Sequence, residues 1–294
     1  MGAMRVVIDD NSGFCFGVVR AIGEAERALK LTGDVCCLGD IVHNRVEVQR
    51  LENMGMATVT HADMPALGGR TLLIRAHGEP PTTYRQAESL GINVIDATCP
   101  VVARLQRRVR EAYDKMCAVG GRVVLLGKHG HAEVIGLTGQ VGDDVTVVES
   151  IADLEALDYS RPIYFLSQTT QSIDLFNAMA EHIKARVSDG VSVVVDDTIC
   201  RRVAGRETLL ATFSASVDVV LFVCGRKSSN GRVLSEVCRK ANGRCYNIEE
   251  ASEIDMSWFE GAESVGICGA TSTPRWLMED VAEAVRSMTQ KSEK

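Results

Sequence analysis

Three short apolar runs in this chain end in aspartate, and each is followed within a few residues by a cysteine. They read VVIDDNSGFC, closing on Cys15, VIDATC, closing on Cys99, and VVVDDTIC, closing on Cys200. A stretch with apolar residues at helical spacing follows each one. A strand, an acidic turn, a cysteine and a helix, repeated at similar intervals, imply one supersecondary unit used three times. Such a unit places its thiol at the same structural position each time, and the three positions are expected to meet at a common point.

Three thiolates are one short of the four that close a zinc or iron–sulfur site. The position left over is where a substrate can bind. Ten cysteines occur in all. The start of the chain has no cationic segment leading into an apolar core, so no export signal is expected and the expected compartment is the cytoplasm. There, cysteines serve as metal ligands or buried thiols more readily than as disulfides. No CxxC pair is present, which argues against a zinc ribbon or a thioredoxin-like site. Cys36 and Cys37 are adjacent and cannot both face one site from a strand. Cys117, Cys224, Cys238 and Cys245 lie in apolar or helical contexts and read as ordinary core or surface residues.

The chain of 294 residues has room for two or three lobes with buried cores. Its net charge of −7 argues against a general nucleic-acid or anionic-membrane binder. The longest apolar runs, such as Val219–Cys224, are too short to cross a bilayer. Strands are expected at Arg5–Asp9, Val35–Leu38, Thr71–Ile74, Asn93–Asp96, Val123–Leu126, Ile163–Leu166, Val191–Val195, Val217–Val223 and Ser264–Ile267. Helices are expected around Val18, Ile22, Ala25 and Leu29, around Leu105, Val109, Ala112 and Met116, and around Ile173, Phe176, Ala180, Ile183 and Val187. Strands alternating with helices give an α/β fold of parallel sheets with crossover connections. The lobes are expected to span residues 1–99, 100–195 and 196–294, with the chain's tail packing onto the first.

Parallel sheets present their ligands at the carboxyl ends of their strands. Here those ends carry VHN around His43, AHG around His77, GHAEV around His131, SQTT at Ser167–Thr170, SSN at Ser228–Asn230 and STP at Ser272–Pro274. Imidazoles, hydroxyls and amides in such loops suit a small anion, because charge-assisted hydrogen bonds contribute about 1.5–3 kcal/mol each. There is no GxxxxGK[ST] phosphate loop. Cys99 precedes Pro100, which is favoured at the first position of a helix, so its thiolate stands at the positive end of the helix dipole. Glu133, two residues beyond His131, is the candidate proton source, since a carboxyl near negative charge keeps its proton to higher pH. Thr169 and Thr170 are candidates to relay that proton or to orient water.

Taken together, GFCFGV, VHN, AHG, DATCP, GHAEV, SQTT, DTIC, SSN and STP run in order over nearly the whole chain. In this the chain resembles the LytB-type 4-hydroxy-3-methylbut-2-enyl diphosphate reductases. The resemblance implies a trefoil of three α/β lobes, in pseudo-threefold arrangement around one [4Fe–4S] cluster. Cys15, Cys99 and Cys200 would hold the cluster, and one iron would be left open for the substrate hydroxyl. His43, His77, His131, Thr169, Ser228, Ser229, Asn230 and Ser272 would contact the diphosphate substrate, and Glu133, helped by Thr169, would supply the proton that releases water. Electrons would come from a reduced ferredoxin or flavodoxin. The sequence departs from the usual family pattern at Ala132, where proline follows the histidine, and at Val203 and Glu207 behind the third cysteine. Rival readings are a quinolinate-synthase-like [4Fe–4S] dehydratase, a non-catalytic iron–sulfur sensor and a structural zinc protein.

Overall fold

The structure, a computed structural model, describes residues 4–291. In chain order its elements are β1 (Arg5–Ile8), α1 (Phe16–Thr32), β2 (Val35–Leu38), α2 (Arg45–Asn53), β3 (Met56–Val59), β4 (Thr71–Ile74), α3 (Pro81–Ser89) and β5 (Asn93–Asp96). Then come α4 (Pro100–Ala118), β6 (Arg122–Leu126), α5 (Ala132–Thr138), β7 (Thr146–Val148), β8 (Ile163–Ser167), α6 (Ile173–Arg186) and β9 (Val193–Val195). The last part holds α7 (Arg201–Ala215), β10 (Val219–Val223), α8 (Ser229–Ala241), β11 (Cys245–Ile248), β12 (Ser264–Gly269) and α9 (Arg275–Lys291). Among the described residues no helix is long and apolar enough to cross a membrane.

The strands form three four-stranded sheets, ordered β3-β2-β4-β5, β7-β6-β8-β9 and β11-β10-β12-β1, with every pairing parallel. The α/β class and the parallel sheets are as the sequence implies. Each sheet has the same order: its first strand lies beside its second on one side and its third on the other, and the fourth closes the far edge. The chain therefore reverses direction of travel between the first and third strands, which is the switch point where open α/β sheets bind ligands.

The third sheet takes its fourth strand from the other end of the chain. β1 pairs with β12 from Arg5↔Ser264 to Ile8↔Ile267. Residues 1–99 are therefore not one lobe, as the sequence suggested. The β2–β5 segment is already a complete sheet, whereas β12, buried along its whole length, has an edge to fill. Val6 and Ile8 fill it and pack, with Met4, against an apolar cluster that includes Leu277, Met278, Val281 and Val285 of the final helix. By contact density the chain divides into two compact units. One comprises the chain up to Val19, Val42–Asn53 and the chain from Arg201 on, and contains the β1-containing sheet. The other comprises Arg20–Ile41 and Met54–Cys200 and contains the other two sheets.

The expected helical faces are mostly buried: Ile22, Ala25 and Leu29 on α1, Leu105, Val109, Ala112 and Met116 on α4, and Phe176, Ala180 and Ile183 on α6, whereas Val18 and Ile173 are half-buried and Val187 falls just past the end of α6. Cys224, Cys238, Cys245 and Cys268 belong to one apolar cluster between β10, β12 and the helices beside them. Cys238 Sγ lies 4.0 Å from Cys268 Sγ there, as core thiols.

Two glycines set close approaches that the loops depend on. A Cβ on Gly225, after β10, would lie 2.2 Å from the carbonyl oxygen of His43, and one on Gly136, in α5, would lie 3.2 Å from that of Gly78. The first contact is backbone and has little room to yield. Gly225→Ala should therefore destabilise the protein by about 1–3 kcal/mol, read as a lowered urea midpoint. An unchanged midpoint would mean that the His43 loop moves freely.

Candidate active site

Each cysteine of the repeated unit follows the fourth strand of a sheet and immediately precedes a helix: Cys15 before α1, Cys99 before α4 and Cys200 before α7. The aspartates shape these turns by accepting backbone N–H bonds two residues on. Asp9 Oδ1 accepts from Asn11 at 3.3 Å, Asp96 Oδ1 from Thr98 at 2.9 Å, and Asp197 Oδ1 from Ile199 at 3.1 Å. The backbone N–H of each cysteine is then pinned in the same way. It donates to the carbonyl two residues past the third strand of its sheet: Cys15 to Thr271 at 3.1 Å, Cys99 to Ala76 at 3.0 Å and Cys200 to Thr169 at 2.9 Å. Arg20 on α1 adds a bond to the Thr98 carbonyl at 2.7 Å, and Arg206 on α7 donates to the Gly13 carbonyl.

Exposure separates these three thiols from the rest. Cys15, Cys99 and Cys200 are outside any disulfide and partly exposed, whereas Cys36, Cys37, Cys224, Cys238, Cys245 and Cys268 are buried and Cys117 is exposed. Burial pushes the Cys37 and Cys224 thiols up to about 12, which keeps them protonated.

The polar loops follow the first and third strands of each sheet, on both sides of the switch point. In the β6–β9 sheet they build an acid site. Glu133, in the first turn of α5, is only 2 % exposed. Thr169 clamps it with two bonds, its N–H to Oε1 at 2.7 Å and its hydroxyl to Oε2 at 2.8 Å. The same Thr169 accepts the Cys200 N–H, so one residue ties the acid to a thiol-bearing loop. Burial raises the Glu133 carboxyl to about 7 against the opposing pull of the two Thr169 bonds.

His131 caps α5, its Nδ1 accepting the Glu133 N–H at 3.1 Å. The cap fixes the helix start at Ala132, where the usual family proline is missing. The His77 ring stands edge-on to that of His131, with centroids 5.4 Å apart. Thr170 does not reach the acid; its hydroxyl accepts a bond from Gln168 Nε2 at 3.1 Å.

The sheet containing β10 and β12 repeats the clamp with an amide in place of the acid. Thr271 donates its N–H and its hydroxyl to Asn230 Oδ1 at 2.9 and 2.7 Å, and its carbonyl accepts from Cys15. Because a backbone N–H fixes Oδ1, the amide nitrogen of Asn230 must face the other way. It is buried there with no acceptor among the described residues. Ser228 caps α8 by accepting the Gly231 N–H at 2.9 Å, and its hydroxyl lies 3.1 Å from that of Ser272. Ser229 and Asn230 open that helix and are buried. His43 precedes α2, whose first turn is capped by Asn44 Oδ1 on the Glu47 N–H at 3.0 Å. Behind Cys200, Val203 is buried and Glu207 half-buried on α7. The Thr271–Asn230 clamp and fully buried Gln168 were not expected from the sequence, although both lie in loops it singled out.

The profile of the LytB protein family matches residues 6–286. The chain belongs to that family. The 4-hydroxy-3-methylbut-2-enyl diphosphate reductase of Parabacteroides distasonis is 52 % identical, covering 97 % of this chain and 98 % of that one. The enzyme of the same name from Bacteroides fragilis is 48 % identical, with the same coverages. A solved structure of (E)-4-hydroxy-3-methyl-but-2-enyl diphosphate reductase, the terminal enzyme of the non-mevalonate pathway, superposes with a TM-score of 0.71. It is 34 % identical and covers 97 % of this chain and 99 % of its own.

For this LytB protein the buried acid has a consequence for stability. Unfolded, Glu133 ionises near its ordinary 4.5; folded, it does so near 7. Between those values the folded state keeps a proton that the unfolded chain releases. The associated stability is full below 4.5 and is lost as pH rises through 7, by about 3 kcal/mol in all. Glu133→Gln has no proton to lose, so the wild type should decline relative to that variant from pH 5 to pH 8 in urea titrations. A constant difference would mean that the folded carboxyl is already ionised at pH 5.

Proposed function

We propose that the protein reduces (E)-4-hydroxy-3-methylbut-2-enyl diphosphate to isopentenyl and dimethylallyl diphosphate and water, as an iron–sulfur enzyme of the cytoplasm. The observation that carries this reading is the Glu133 carboxyl, buried, raised by that burial to about 7, and clamped by the residue that also holds the Cys200 loop. Overall, two electrons and two protons enter, the carbon–oxygen bond of the alcohol breaks, and its oxygen leaves as water.

The residues suit a [4Fe–4S] cluster. Three partly exposed thiols outside any disulfide stand at helix N-termini, whose dipoles favour negative charge, and a fourth cysteine in an equivalent position is absent among the described residues. When bound by Cys15, Cys99 and Cys200, such a cluster supplies electrons singly and a Lewis-acidic iron for the substrate hydroxyl. Glu133 holds the proton for the departing hydroxyl on an oxygen whose position is set by Thr169. The Asn230 amide, lacking an acceptor, gives the diphosphate a donor that costs nothing to release from other bonds. Ser228, Ser229 and Ser272 add donors beside it, and His43, His77 and His131 add imidazoles. Burial of Ser228, Ser229, Asn230 and Ser272 excludes water that would otherwise compete for the anion. A reduced ferredoxin or flavodoxin is the electron donor in this scheme.

Anaerobic turnover of the hydroxybutenyl diphosphate with dithionite and a viologen mediator tests the reading. Both isoprenyl diphosphates should form only when reductant is present. A brown, iron-loaded protein that leaves the substrate unchanged would overturn the activity. Turnover of a different substrate without reductant would favour a dehydratase.

A further inference from the structure

Gln168 is fully buried beside the Thr169 clamp and has no part in the scheme above. A backbone donor determines which way its amide faces: Lys128 N–H donates to Gln168 Oε1 at 3.1 Å, joined by Gln171 Nε2 at 3.2 Å. Its Nε2 is therefore the group turned to Thr170 Oγ1 at 3.1 Å and to His131 Nδ1 at 3.2 Å. That ring nitrogen already accepts the Glu133 backbone N–H. Neither a backbone N–H nor an amide NH2 can accept, so both interactions require a lone pair on Nδ1.

We propose that Gln168 is a positioning residue that, together with the Glu133 main chain, holds His131 as the neutral Nε2–H tautomer. This imidazole then meets the anionic substrate as a hydrogen-bond donor without a positive charge. A second proton on Nδ1 would face two N–H donors and forfeit both bonds, whereas a solvent-exposed imidazole takes that proton readily near neutrality. The dipeptide Gln168–Thr169 thus sets the state of two groups at once, the tautomer of His131 and the orientation of the Glu133 carboxyl. The assignment of a substrate to His131 rests on the diphosphate reading above; the tautomer does not.

Anaerobic holoprotein carrying 15N-histidine, studied by long-range 1H–15N correlation at neutral pH, decides the matter, with the His131 signals identified by their loss in His131→Asn. Nδ1 should show the shift of an unprotonated nitrogen and Nε2 that of a protonated one. Gln168→Glu places a carboxylate against Nδ1 and should draw a proton there, giving the imidazolium pattern. Gln168→Met leaves a single donor, should bring the two tautomers into exchange, and should raise KM about tenfold with kcat little changed. A protonated Nδ1 in the wild type, or an unaltered pattern in both variants, would overturn the proposal. If the same holoprotein fails to reduce the hydroxybutenyl diphosphate, the functional reading falls while the spectrum still settles the tautomer.

Discussion

Glu133→Gln should lower kcat by about 10²–10⁴, the usual contribution of a positioned general acid, and leave KM within about twofold. The substitution is close to isosteric, and the clamp can survive it. The Gln carbonyl accepts the Thr169 N–H, and its amide can donate to the Thr169 hydroxyl, which donates to Glu133 in the wild type. What disappears is the transferable proton alone. Loss confined to kcat in anaerobic steady-state assays would therefore isolate proton delivery from binding. Wild-type turnover in the variant would remove Glu133 from the mechanism.

Replacing Cys15, Cys99 or Cys200 with serine should strip most iron from the anaerobically purified protein and lower activity at least about a hundredfold. The wild type should carry about four irons and four sulfides per chain. Cys117 is the internal control, because it lies exposed on α4; Cys117→Ser should retain both iron and activity. Stoichiometric zinc in the wild type, or full iron in the Cys15 variant, would sink the cluster assignment.

Local pattern carries information about strands buried on both faces, because these read as continuous apolar runs. VVLFV at β10 and VVLL within β6 are legible for that reason. The strands absent from the sequence reading are β3, β7 and β11, one at the edge of each sheet. Their residues, MATV, TVV and CYNI, are few and partly exposed, so neither a run nor a clear alternation marks them. The loops at the carboxyl ends of strands were legible because parallel sheets leave ligand chemistry nowhere else to gather. Partners across the chain were not. That Thr271 holds Asn230 as Thr169 holds Glu133 follows from two strands lying side by side, and periodicity within either segment does not encode it. Gln168 is illegible for a related reason: glutamine next to two threonines reads as loop polarity, and nothing local encodes its burial.

The closure of the last sheet by β1 fixes an order of events during synthesis. The sheets bearing Cys99 and Cys200 are built from neighbouring segments, so each can form soon after it leaves the ribosome. Cys15 is made first, yet the carbonyl that pins its backbone belongs to Thr271, and β1 has no partner until β12 has been made. Closing so long a loop comes late and slowly. The nascent chain thus carries a bare apolar strand and an unplaced thiol for most of its synthesis, a window in which β1 is exposed to mispairing. On the proposed reading, a metal centre held by all three cysteines would load only after β12 and Thr271 have been made.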